Sequence, residues 1–149
     1  LVQFAAQDVC DSDLENENPS LIYCSAILEN GQRSGKPVGV LGILFDWENQ
    51  AQPILAGCLP LINNELVHGG AAFYVNRDRV VIATTDERHF PINKVVNIPP
   101  ENVNLKDGES ASGIFSTNDR KYIIGSSGSH GYREYKGLGW TAHVVRAID

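Results

Sequence analysis

The 149-residue sequence has no methionine, three cysteines, and only twelve basic residues against eighteen acidic ones. Each shortage excludes something. With a formal charge of −6 and its lysines and arginines dispersed, the chain lacks the clustered cations that a phosphate backbone requires. Arg77–Arg79 is the nearest thing to a patch, and nucleic acid is not an expected partner. No run of ~18 apolar residues is present to cross a bilayer, and no signal peptide opens the chain. The missing initiator methionine predicts a processed or excised piece of a longer protein, with any membrane anchor outside these residues.

Chemistry is short of parts too. Cys10, Cys24 and Cys58 form no CxxC pair, and His68, His89, His130 and His143 have neither i, i+4 pairing nor an HExxH arrangement. No metal and no cofactor are expected. Cys24 in an apolar run and Cys58 on a helix face read as small buried hydrophobes, with a Cys10–Cys24 bridge the alternative in an oxidising compartment. His68-Gly69-Gly70 is similar to an oxyanion loop, but Gly125-Ser126-Ser127-Gly128 has the wrong spacing for a nucleophile elbow. The expectation is a protein that is not an enzyme.

What is present is 42% apolar residues, the ordinary globular share, in a length that fits one domain or one plus part of a neighbour. Leu1–Phe4 looks strand-like, 11–20 is an acidic loop, and Leu21–Leu28 is a β-favourable run before a turn at Glu29-Asn30-Gly31. Val38–Phe45 is apolar on both alternating faces, which predicts a central strand buried on both sides. Gly39 and Gly42 within it predict close backbone approach.

Asp46 stands where an N-cap belongs, and Trp47, Ala51, Ile54, Leu55 and Cys58 make one helical stripe. Pro53 either kinks that helix or delays its start to near Asn49. Ala71–Val75 and Val80–Thr84 join through Asn76-Arg77-Asp78-Arg79, a hairpin signal. Thr85–Gly108 is irregular, a length that carries function or a short helix. Strands are predicted at Ser110–Phe115, Lys121–Ser126 and Trp140–Ile148, with a Gly/Ser loop over Ser126–His130. Trp140, after a Gly-Leu-Gly turn, is the predicted core anchor. His143 alternates along the last strand and reads as structural or half-exposed. The order strand, strand, long gap, strand, strand, strand defines an α/β (α+β) chain, an antiparallel sheet with helices and a long loop packed on it.

Three blocks resemble the Cache family, the PAS-like extracytoplasmic sensor domains of bacterial chemoreceptors and related signalling proteins. They are Gly35–Trp47 with Gln50-Ala51, Ala72–Asp86 with its strand, polar turn and Val-Ile-Ala before an acid, and Gly131–Trp140. The resemblance implies a PAS-like fold, with residues 1–46 closing a preceding module, 47–66 connecting, and 67–149 forming a module of their own. It implies a periplasmic, ligand-sensing part of an inner-membrane receptor, above all a methyl-accepting chemotaxis protein, forming a homodimer at full length. A non-sensing structural or dimerisation module of a histidine kinase or cyclic-dinucleotide enzyme is the alternative. The aromatic and arginine residues that grip an amino acid in two-module members lie upstream of this sequence, and only Asp46 matches their pattern.

The candidate ligand contacts are Tyr74, Thr84, Asp86, Arg88 and Ser126. Asp86-Glu87-Arg88-His89 is a charged group just after the hairpin. It reads either as a solvated turn or as a polar rim in which Arg88 holds a carboxylate bidentately. The ligand would be a small polar metabolite, a carboxylate or an amino acid.

Overall fold

The structure, a computed structural model, describes residues 4–10, 20–117, 119–130 and 137–148, with Ala6 the one side chain described in the first of these stretches. The chain divides into two compact units, Leu1–Gln50 and Ala51–Asp149.

The first unit is a three-stranded antiparallel sheet of β1 (Phe4–Cys10), β2 (Ser20–Leu28) and β3 (Pro37–Asp46), in the order β1-β2-β3. The β2–β3 connection closes through Glu29 N–H donating to the Lys36 carbonyl at 2.9 Å. Asn30 and Gly31 supply its left-handed positions, at φ 55° and 66°. Across the pair Tyr23 faces Ile43, and the Tyr23 ring meets Phe45 edge-on at 5.5 Å.

The expected burial of Val38–Phe45 does not hold. Val40 is 70% exposed and Leu41 56%, and Val38, Ile43, Leu44 and Phe45 are exposed as well. Among the described residues β3 is an edge strand, paired to β2 on one side only. A two-faced apolar pattern says that a strand is suited to being covered; it does not supply the cover. Nor do Gly39 and Gly42 mark a close approach, since a Cβ there would meet nothing nearer than 3.5 Å and 3.9 Å. Cys24 is a free, half-buried thiol, so the Cys10–Cys24 bridge is absent.

Asp46 caps helix α1 (Trp47–Gly57) as expected: its carboxylate accepts from the Asn49 backbone N–H at 3.3 Å and from Asn49 Nδ2 at 2.6 Å. The helix therefore starts at Trp47 and runs through Pro53, which lacks the N–H its turn would use. Of its apolar stripe, Ala51 and Leu55 are buried and Ile54 is exposed. Cys58 lies past the helix end and is exposed, because the last turn closes there with its N–H on the Leu55 carbonyl.

The second unit holds a five-stranded antiparallel sheet. A short hairpin precedes it, β4 (Leu61–Ile62) and β5 (Glu65–Leu66), turning on Asn63 and Asn64 at φ 53° and 66°. The strands of the sheet are β6 (Gly70–Val75), β7 (Val81–Thr84), β8 (Ser110–Ser116), β9 (Lys121–Gly128) and β10 (Thr141–Ile148), in the order β7-β6-β10-β9-β8. β9 runs to Gly128, so the Gly/Ser stretch is ladder rather than loop: Ser126 pairs with His143 and Gly128 with Thr141.

One face of this sheet is the core. Phe73, Val75, Tyr122, Ile124 and Val145 bury there together with Phe90, Ile98 and Phe115. Phe73 stacks on Phe90 at 4.5 Å, Phe90 meets Tyr122 edge-on at 5.5 Å, and Tyr122 stacks on Phe115 at 5.3 Å. The cover is the irregular segment after β7. It pairs along the β7 edge through the Val80–Val95 bridge and the Val81 N–H to Lys94 carbonyl bond. It then crosses the face with buried Ile98 and the short helix α2 (Pro100–Val103). On the opposite face Ala72 and Ala83 are buried, and Gln52 Nε2 donates to the Thr84 carbonyl at 3.0 Å, tying the later turns of α1 to β7.

Trp140 is not the predicted core anchor. The last strand begins one residue later, at Thr141, and Trp140 is half-buried at the end of the sheet, its carbonyl accepting from Ser129 N–H. Residues 131–136 of the tyrosine-rich block lie outside the described residues.

Candidate ligand site

The five sequence candidates fall in three places. Tyr74 alternates with Phe73 and Val75 and so stands on the face away from the aromatic core, half-buried. There burial, reinforced by Cys58 nearby, raises its hydroxyl pKa. Thr84, Asp86 and Arg88 share one turn. Thr84 Oγ1 accepts from Asp86 N–H at 3.1 Å, and Asp86 Oδ1 accepts from the N–H groups of Arg88 and His89. Asp86 Oδ2 sits 2.7 Å from His89 Nδ1. The carboxylate is thus engaged in closing its own turn, while Arg88 is exposed and makes no ion pair among the described residues.

Ser126 is buried in the middle of a polar chain that no short-range motif announces. Asn102 Nδ2 donates to Ser126 Oγ at 2.8 Å, Ser126 Oγ lies 2.8 Å from His143 Nδ1, and His143 Nε2 lies 2.7 Å from Thr141 Oγ1. Having accepted from Asn102, Ser126 has its own proton left to donate to Nδ1. That leaves the Nε2–H of a neutral imidazole to donate to Thr141. His143 is 1% exposed and stacked on Phe73 at 5.0 Å, and burial lowers its pKa to about 4. A serine and a histidine at hydrogen-bond distance form the beginnings of a nucleophilic pair. Both lie beneath the covering segment, so the arrangement acts as a structural pin between α2, β9 and β10.

At the far end of the chain of contacts, Asn102 Oδ1 is buried with no hydrogen-bond partner among the described residues. Gly113 makes room for it: a Cβ there would come within 2.8 Å of that oxygen. The spacings involved, 24 residues from Asn102 to Ser126 and 17 from Ser126 to His143, put this network beyond local reading.

A surface concavity of about 270 Å³ opens at the other end of the β6–β7 hairpin, lined by Asn76, Arg77, Arg79, Pro100, Val103 and Asn104. None of the five candidates lines it. Phe90, two residues after Arg88, is buried in the aromatic core, edge-on to Tyr122. Among the described residues there is no group of acids, histidines and cysteines able to hold a metal ion, and no helix is long and apolar enough to cross a membrane.

No known family profile and no curated protein sequence matches the chain. Solved structures do. The chain is similar to an extracellular ligand-binding receptor from Desulfohalobium retbaense, with a TM-score of 0.61 and 12% identity over 97% of this chain and 22% of that one. It is similar to the periplasmic sensory domain of the Campylobacter jejuni chemoreceptor Tlp1, with a TM-score of 0.56 and 16% identity over 98% of this chain and 50% of that one. A third is the sensor domain of the V. cholerae histidine kinase DctB, with a TM-score of 0.57 and 10% identity over 99% of this chain and 57% of that one. One is a ligand-binding receptor and two are sensor domains, and the fold of this chain is the PAS-like, Cache fold. The chain spans between about a fifth and just over half of the lengths of these structures.

Proposed function

We propose that this chain is the extracytoplasmic, small-molecule-sensing part of a bacterial transmembrane signalling receptor, a methyl-accepting chemotaxis protein in the first instance, without enzymatic activity. The observation that carries it is the likeness of nearly the whole chain to sensor domains. In this reading residues 1–46 close one module, 47–66 connect, and 67–149 form the PAS-like module. The receptor is a homodimer, and its membrane anchor lies in other segments. The ligand is a small polar metabolite, a carboxylate or amino acid. Of the five candidate contacts, Arg88 offers it a bidentate partner. Thr84 and Asp86 hold the turn that presents Arg88, while Tyr74 and Ser126 serve the two faces of the sheet.

A ligand that binds only the folded state adds RT ln(1 + [L]/Kd), about 2.7 kcal/mol at a hundredfold excess over Kd. Thermal melts against a panel of carboxylates and amino acids test the proposal: at least one compound should raise the midpoint, and Arg88→Gln should abolish the rise. One observation favours the structural alternative, a dimerisation module of a histidine kinase or cyclic-dinucleotide enzyme. The covered face of the five-stranded sheet is filled by its own stacked aromatic rings. A panel without a single stabilising compound would select that alternative.

A further inference from the structure

We infer that the concavity between the β6–β7 turn and α2 is a binding site for a small oxyanion, a carboxylate or a phosphate, distinct from the Arg88 turn. Two arginines, Arg77 and Arg79, and two asparagines, Asn76 and Asn104, are among the residues that line it. Among the described residues no carboxylate lines it, in a chain whose acids outnumber its bases eighteen to twelve. Asp78 and Glu101 neighbour the wall in sequence, and neither is part of it. Neither arginine forms an ion pair among the described residues.

The site is also built. Asn76 Oδ1 accepts from the N–H groups of Asp78 and Val80, both at 3.0 Å, and this fixes the turn and commits the amide oxygen. The Asn76 Nδ2 protons, like all the guanidinium protons, remain as donors. Arg79 N–H donates to the Asn76 carbonyl and the Arg79 carbonyl accepts from Val96 N–H, holding Arg79 at φ 63°. Arg77 lies along Gly139: a Cβ there would come within 2.8 Å of Arg77 Nε and 3.1 Å of its Cγ. Gly139, itself at φ 73°, thus provides a seat for the arginine stem that another residue would fill. Two arginines and two asparagines lining one concavity, with no acid among the described residues there, suit the planar, acceptor-only chemistry of an oxyanion.

The test is a titration of the whole chain with malonate and, separately, with inorganic phosphate, against sodium chloride at matched ionic strength. Heteronuclear NMR spectra follow the arginine Nε–H and asparagine side-chain signals. Saturable shifts at Arg77, Arg79 and Asn104 with either anion are expected, and the stronger of the two identifies carboxylate or phosphate as the preferred class. Arg77→Gln and Arg79→Gln should each weaken binding about tenfold, the loss of one charge-assisted contact. Both substituted positions are exposed, so unchanged core signals will show that the variants fold. Shifts that are linear, that chloride reproduces, or that persist in the Arg77→Gln/Arg79→Gln double variant would overturn the site.

Discussion

The two sheets of this chain treat apolar residues in opposite ways. In the three-stranded sheet, Val38, Val40, Leu41, Ile43, Leu44 and Phe45 stand exposed along an edge strand. In the five-stranded sheet, burial alternates strictly along β9: Tyr122, Ile124 and Ser126 inward, Lys121, Ile123 and Gly125 outward. The difference is the covering segment. Residues after β7 lay Phe90, Ile98 and α2 across one face, so that alternation becomes burial. In the first unit, whose described residues include no such segment, β3 buries little. Apolar pattern states a requirement, and only the chain's connectivity meets it.

Breaking the contrast where it is strongest should give the largest effect. Phe73 is 0% exposed and stacks on both Phe90 and His143. Phe73→Ala should cost about 3–5 kcal/mol in urea unfolding, the range for a large core side chain removed without collapse of the site.

The buried histidine gives the next effect. His143 is held near pKa 4 in the fold by burial, against 6.5 when unfolded. Between those values the unfolded chain binds the proton and the folded one resists it. Stability is therefore fully present above about pH 6.5 and falls as the pH drops towards 4. The loss attributable to this residue is about 3 kcal/mol, at about 1.4 kcal/mol for each tenfold difference in proton affinity between the two states. Unfolding free energies measured across that window should fall more steeply for the native chain than for His143→Gln. Parallel slopes would show that the ring is solvated in the fold.

Asn102→Ala should cost less, about 1 kcal/mol. It removes the donor to Ser126 and also the buried carbonyl oxygen that has no partner, and the two changes oppose each other. Smallest of all, Val40→Thr on the exposed strand should stay within about 0.5 kcal/mol, as surface substitutions do. A loss as large as that of Phe73→Ala would mean that β3 is covered after all.

Much of the second unit is legible in the sequence because its signals are local. The Asn76–Arg79 turn, the strands on either side of it and the strand order from Ala71 onward all follow from neighbouring residues, as does the N-cap at Asp46 in the first unit. The Asn63-Asn64 turn of β4–β5 is equally local but quieter, since two asparagines tolerate left-handed backbone without the glycine that usually marks such a turn. What the sequence hides is non-local. The chain from Asn102 through Ser126 to His143 and Thr141 joins three elements, and Ser126 alone gives no sign of it. The concavity likewise needs α2 opposite the hairpin turn, and Arg77 needs Gly139, sixty-two residues on in sequence. Exposure of β3 is invisible for a related reason: apolar residues on both faces look the same whether or not a partner layer exists.

Native-state amide hydrogen exchange, read residue by residue on this chain, tests the contrast between the sheets most directly. β2 and β10 are each paired on both sides, so their amides are matched in hydrogen bonding, while β2 is mostly half-buried and β10 alternates onto a fully buried face. The account predicts that amides of β10 around Val145 exchange only through global unfolding. Amides of β2 around Tyr23 and Cys24 should exchange by local opening at a much lower free energy. Equal protection of the two strands would contradict it.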